Sequence, residues 1–136
     1  MDELTKSGKI AISGMKVQSE RLRVISENLA NVDSTAQTPE GLPYRRKVVS
    51  FKSELDRSNG VTTVKVDNVR TDSSDFQRRY DPKHPAADRE GYVLTPNVNP
   101  LIEMMDMREA QRSYQANMDV VTTSRTLLSR TVDMLR

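Results

Sequence analysis

The sequence predicts an α+β subunit: long N- and C-terminal helices packed as a coiled coil, with a small β-rich middle module. Three observations carry this. The last 38 residues hold a heptad of apolar positions with no glycine, and their one proline opens the run. The first 32 residues hold a matching heptad. The stretch between them is written in β-branched residues and turn signals.

The N-terminal segment, residues 1–32, places Leu4, Gly8, Ala11, Met15, Gln18, Leu22, Ile25, Leu29 and Val32 at alternating spacings of three and four. Gly8 and Gly14 interrupt it, each costing about 1 kcal/mol against alanine. Gly8 lies on the seam, where a missing side chain permits close approach of a second helix. Gly14 lies beside it. Both also read as tolerated weak spots. Asn28-Leu29-Ala30-Asn31 is unusually polar for a helix end, and asparagine can close a helix in the left-handed conformation.

The middle module, residues 33–98, opens with a loop of small, polar and breaker residues over 33–42. Arg45 to Phe51 reads as a strand. Its basic start, Arg45-Arg46-Lys47, reads better as a solvated edge that blocks pairing than as a phosphate patch. Ser53 to Gly60 is polar and closes on the turn signal Ser58-Asn59-Gly60, and Val61 to Arg70 is the clearest strand. Residues 71–79 are ambiguous, an extended arm around Phe76. Tyr80 to Pro85 is a proline-held turn, and Glu90 to Thr95 a last short strand.

The C-terminal helix, residues 99–136, starts with Asn99 as cap and Pro100 at the first helical position. Its seam runs Met104, Met107, Gln111, Tyr114, Met118, Val121, Arg125, Leu128, Val132 and Leu135. At 1.5 Å per residue it would extend about 55 Å, too long for a small globule to bury. The seam therefore needs partners, first the N-terminal helix and then neighbouring chains. Gln18, Gln111 and Arg125 interrupt the stripes, where polar groups can fix register. Met15, Met104, Met105, Met107, Met118 and Met134 are ordinary as core filler and also suit packing against non-identical neighbours, because methionine adapts its shape.

The totals exclude several classes. A hydrophobic content of 35% with six aromatics among 136 residues is thin for a self-sufficient core. The formal charge is +2, and both signs are mixed in every region, which gives no nucleic-acid footprint. The absence of cysteine removes disulfides and thiol chemistry. No apolar run reaches a membrane-spanning length, and the N-terminus shows no secretory leader pattern. His84, the single histidine, lies in a turn between Asp81 and Asp88, with no second histidine to make a ligand pair. The carboxylates are scattered and mostly lie beside basic residues, the look of a solvated face. No phosphate loop or nucleophile elbow is written, so neither cofactor, metal nor small-molecule substrate is expected, and an enzyme is disfavoured. A cytoplasmic coiled-coil binding module or export chaperone is the competing non-enzymatic reading.

Two blocks of sequence resemble a known family. Ser13-Gly14-Met15, Gln18, Arg21-Leu22, Ile25 and Asn28-Leu29-Ala30-Asn31 match the N-terminal signature of the flagellar rod and hook family of axial proteins. Asn97-Val98-Asn99-Pro100, Met104, Asp106-Met107, Ala110, Arg112 and Tyr114-Gln115-Ala116-Asn117 match its C-terminal signature. Tyr80-Asp81-Pro82, His84-Pro85 and Asp88 to Val93 resemble one member closely, a protein of the proximal rod. The longer Thr38 to Tyr44 stretch departs from the family's usual turn after the Asn-Leu-Ala-Asn motif.

The resemblance implies a structural subunit of the flagellar basal body, stacked helically in a rod that crosses the periplasm, with terminal helices lining the tube. The partners it implies are other proximal-rod proteins, distal-rod proteins, and the rod adaptor and membrane-ring protein at the rod base. It also implies transit through the flagellar type III export apparatus without a cleaved signal peptide. The heptads set the expected assembly interface: Leu4, Gly8, Ala11, Met15, Gln18, Leu22, Ile25 and Leu29 on the first helix, and Met104, Met107, Gln111, Tyr114, Met118, Val121, Leu128, Val132 and Leu135 on the second.

Overall fold

The computed structural model describes residues 2–136. The element order is α1 (Asp2–Ala30), β1 (Lys47–Asp56), β2 (Val61–Thr71), β3 (Gln77–Tyr80), β4 (Tyr92–Thr95) and α2 (Pro100–Met134). β1 and β2 form one two-stranded sheet and β3 and β4 another. The expected architecture of two long helices and a small β module is therefore present. The described residues divide into two compact units, one made of 2–22, 49–68 and 108–136, the other of 23–48 and 69–107.

In the first unit, α1 and α2 run antiparallel. Gly14 faces Asn117, while Arg21, one heptad later, reaches back to Glu109 at 3.6 Å. A Cβ on Gly14 would stand 2.7 Å from the Asn117 amide nitrogen, so glycine here sets how closely the helices approach. Gly8 is different: nothing lies within 4 Å of the position its Cβ would take. The close approach assigned to Gly8 from its seam position thus belongs to Gly14. Ala11, Val17, Val61 and Ala110 are the buried apolar side chains of this unit. The β1–β2 hairpin turns through Gly60 at φ 65°, whose N–H donates to the Asp56 carbonyl at 2.8 Å. The Asp56 carboxylate accepts from the Ser58 N–H, the Ser58 hydroxyl and the Asn59 amide. These bonds, the Ser58 hydroxyl first, pull the Asp56 carboxyl down to about 2.

β1 extends through Ser53–Asp56, which the sequence reading left outside the strand. The residues from Phe51 to Leu55 are exposed, so one apolar face is not selected and no alternation marks the strand.

In the second unit, Val24, Ile25, Ala86, Val93 and Val98 form the apolar core. β3 and β4 pair antiparallel, from Gln77 with Thr95 to Tyr80 with Tyr92. β3 takes up the end of the ambiguous stretch 71–79 and adds Tyr80, which reads from sequence as turn, and Phe76 just before it carries the Arg45 guanidinium 4.2 Å above its ring. Gly91 adopts φ 87° and packs under the Tyr80 ring, where any Cβ would come within 2.9 Å. α1 does not end on a left-handed asparagine: among the described residues no non-glycine has positive φ. Instead the Asn31 backbone N–H and side-chain amide both donate to the Glu27 carbonyl, at 3.1 and 2.8 Å. α2 begins as read, with Asn99 Oδ1 accepting the Leu101 N–H at 3.1 Å.

Candidate assembly site

Two features set this chain apart from a self-contained small domain. One is a polar clasp buried in the second unit. The other is the distribution of apolar side chains on α2.

The clasp is built around Asn28 and Glu103, each 1% exposed. Asn28 acts like a strand neighbour to Lys47: its amide nitrogen donates to the Lys47 carbonyl and its oxygen accepts the Lys47 N–H, both at 2.9 Å. The same oxygen accepts the Tyr44 hydroxyl at 2.7 Å, and the amide nitrogen also approaches Glu103 Oε2 at 3.4 Å. Burial, then the nearby Glu27 and Glu103 carboxylates, push the Tyr44 phenol up to about 12, which keeps it a donor. Arg46 Nε donates to Glu103 Oε1, while its terminal nitrogens reach Asp72 at 3.2 Å and Asp106 at 3.8 Å. Burial of the guanidinium opposes its charge. The Glu103 hydrogen bond and attraction, followed by those of Asp72, outweigh this and hold the Arg46 pKa above its ordinary value. Asn97 completes the structure, accepting the Arg46 N–H at 2.7 Å and donating to the carbonyls of Asp72 and Ser74 at 3.1 Å. Among the described residues no buried side-chain polar atom lacks a partner.

This corrects one reading. The basic triplet is not a solvated strand edge. Arg45 donates to the Asp72 and Ser74 carbonyls, Arg46 holds three carboxylates, and Lys47 Nζ meets Glu27 at 2.5 Å. Glu103 is the exception to the reading that the carboxylates mostly look solvated, since it is among the most buried of the described residues. Nothing local in the sequence marks either partner, because Arg46 and Glu103 are 57 positions apart.

On α1 the structure places the seam residues inward. Ala11 and Ile25 are buried, and Leu4, Gly8, Met15, Gln18, Leu22 and Leu29 are half-buried. On α2 the inward stripe runs one position to the side of the apolar reading. Glu103, Ala110 and Ser124 are buried, with Asn117 and Thr131 half-buried. Met107, Tyr114, Val121 and Leu128 border that stripe and are half-buried. Met104, Gln111, Met118, Val132 and Leu135 are exposed, with Met104 at 53% and Leu135 at 76%. Among the described residues, half of the twenty exposed large hydrophobics lie between Leu101 and Leu135. Gln111 and Arg125 are exposed and cannot fix the register of the helix pair within the chain. Buried Asn28 and Glu103 hold their helix ends in the second unit, and Asn117 meets Gly14 in the first.

The described residues offer little to a reaction. Both His84 ring nitrogens are engaged: Nδ1 accepts the Ala86 N–H and Nε2 meets the Thr35 hydroxyl, each at 3.0 Å. Among the described residues no cluster of three or more acidic or histidine side chains could hold a metal, and no helix is long and apolar enough to cross a membrane.

Comparison with known proteins agrees with this architecture. Residues 9–36 match the family model described as flagella basal body rod protein. Residues 89–134 match that of the flagellar basal body rod FlgEFG protein C-terminal region. The chain is 55% identical over 136 residues to the flagellar basal-body rod protein FlgC of Agrobacterium fabrum, covering 100% of this chain and 98% of that one. The chain belongs to the FlgC family of flagellar basal-body rod proteins. Its FlgC relative from Salmonella typhimurium is 39% identical over 125 residues, covering 92% of each chain. That from Bacillus subtilis is 36% identical over 140 residues, covering 92% of this chain and 93% of the relative. The chain is thus a structural protein of the flagellar basal-body rod, and the clasp and helix faces are features of a building block.

Proposed function

We propose that this chain is a proximal-rod subunit that stacks helically with other rod proteins into the drive shaft that transmits torque across the periplasm. The supporting observation is the inversion on α2. Its inward face is small and polar, while Met104, Met118, Val132 and Leu135 are left in solvent. Apolar surface on this scale marks an interaction site in a soluble protein. Leu4, Ala11, Met15, Gln18, Leu22, Ile25 and Leu29, with Met107, Tyr114, Val121 and Leu128, hold the subunit's own helices together, while Gly8 has open space beside it for a neighbour. Met104, Gln111, Met118, Val132 and Leu135 meet neighbours. Those neighbours are other proximal-rod proteins, the distal rod, and the adaptor and membrane ring at the rod base. The chain reaches them through the flagellar type III export apparatus, and it performs no catalysis.

The experiment pairs Val132→Ala with Leu135→Ala, both on the outward face, and follows swimming, with secretion of the chain as control. The expected result is normal expression and export with loss of rod assembly and motility. Normal swimming in the double variant would remove the assembly role of this face.

A further inference from the structure

A groove in the first unit and a loop in the second carry matching features. The groove, of about 730 Å3, lies between α1 and the hairpin. Ile12 and Val17 from α1 and Val64 and Val66 from β2 give it an apolar lining. Lys9 and Lys16 stand on its rim, exposed and without an ion-pair partner among the described residues. The other charges there are already engaged: Glu54 pairs with Lys65 at 3.5 Å, and Glu20 has its own partner within the chain. The groove is therefore apolar inside and cationic at one edge, and it suits an apolar side chain next to a free carboxylate.

The chain itself supplies that combination. From Val24 to Tyr44 there are three acidic residues and no basic one. Glu27 is held by Lys47 and Arg23, but Asp33 and Glu40 are exposed with no partner among the described residues. Two residues after Glu40, Leu42 is 68% exposed. The loop that carries them is anchored at both ends. Thr35 meets His84 at 3.0 Å, the Tyr44 N–H donates to the Ser34 carbonyl at 2.9 Å, and Pro43 is buried. A Gly41 N–H to Thr38 carbonyl bond of 3.1 Å folds the tip back on itself. A leucine held on an anchored loop docks at a smaller entropic cost than one on a free segment.

We propose that the Glu40–Leu42 loop of one copy docks into the Ile12–Val64 groove of a second copy, with Leu42 in the apolar lining and Glu40 against Lys9 and Lys16. Loop and groove are different patches of one chain, so the contact is head-to-tail and repeats from copy to copy instead of closing as a symmetric pair. The inference rests on the rod reading and specifies one subunit-to-subunit joint within it.

The chain has no cysteine, so single thiols report the joint cleanly. Val64→Cys and Leu42→Cys chains, each full length, are mixed and oxidised with copper phenanthroline. The expected result is a Val64–Leu42 cross-link that forms faster than either variant cross-links with itself. Adding Lys9→Glu and Lys16→Glu to the Val64→Cys chain should slow it by about fivefold, the scale of surface charge pairs. Glu40→Lys in the other chain should restore it. A mixed cross-link no faster than the self-pairs, or one indifferent to the charge reversals, overturns the proposal. So does capture of a different rod protein by Val64→Cys in purified basal bodies. Incorporation of the chain into basal bodies without the cross-link refutes the joint alone, whereas failure of the unmodified chain to be incorporated refutes the rod reading.

Discussion

Replacing Arg46 with methionine tests the clasp most severely. Methionine keeps much of the stem and removes the charge. Glu103, 1% exposed, would then face only Asn28 at 3.4 Å, and Asp72 and Asp106 would lose their shared cation. Removing one partner of a buried ion pair costs about 3–5 kcal/mol, because the other charge is left unpaired out of water. The Arg46 side chain is 22% exposed, so solvent already screens part of the interaction and the lower end applies. We predict a loss of about 3 kcal/mol, which lowers the melting midpoint of a chain this size by about 10 °C. Thermal and urea unfolding followed by circular dichroism would measure it. The same experiment on Glu103→Gln and on the double variant closes a cycle, and the double loss should fall short of the two single losses together by about 2 kcal/mol. A single-variant loss below about 1 kcal/mol, or additive losses, would show that the clasp does not hold the second unit.

Other consequences are smaller in scale. We predict that the two helical glycines respond in opposite senses. Gly8→Ala meets open space and should gain up to about 1 kcal/mol of helix propensity, whereas Gly14→Ala must displace the Asn117 amide from its bond to Ser113 and should lose about 1 kcal/mol net. Equal responses in urea unfolding would contradict the assigned helix contact. Tyr44 has a folded pKa raised to about 12 against an ordinary 10.0, so its stabilisation is complete below pH 10 and is lost as pH rises toward 12. Alkaline unfolding of Tyr44→Phe should lack that component, and an unchanged alkaline limb would count against it. Asp56 runs the other way: with its folded pKa lowered to about 2 from 3.8, its support for the hairpin turn is present above pH 4 and lost as pH falls toward 2. Amide shifts of Ser58 should report that midpoint, and a midpoint near 4 would refute it. His84→Ala should lose the Thr35 tie and the local Ala86 N–H bond, about 1–2 kcal/mol together, and leave rods assembled, which electron microscopy of basal bodies would check.

The helices and the main turns were legible because their signals are local. Asn99-Pro100 caps α2, Asn59-Gly60 turns the hairpin, and the α1 seam from Ala11 to Ile25 is apolar where it is buried. The seam of α2 was displaced by one position for a physical reason. Periodicity finds apolar residues, and here the chain turns many of them outward. The closeness of α1, set by Gly14, favours alanine, serine and asparagine on the inward face. The clasp was not legible at all. Asn28 and Glu103 are 75 residues apart, and their identities suggest a helix end and a solvated surface until the fold brings them together.

The central claim is that the outward apolar stripe of α2 is covered by neighbours in the rod. Single cysteines at Met118, Leu127 and Val132, each exposed in the free chain, allow a direct measurement. A maleimide reagent should label all three quickly in the purified chain. In isolated basal bodies that contain the chain, we predict strong protection of all three. Equal labelling in both preparations would mean that the stripe faces solvent in the rod, and would contradict the account.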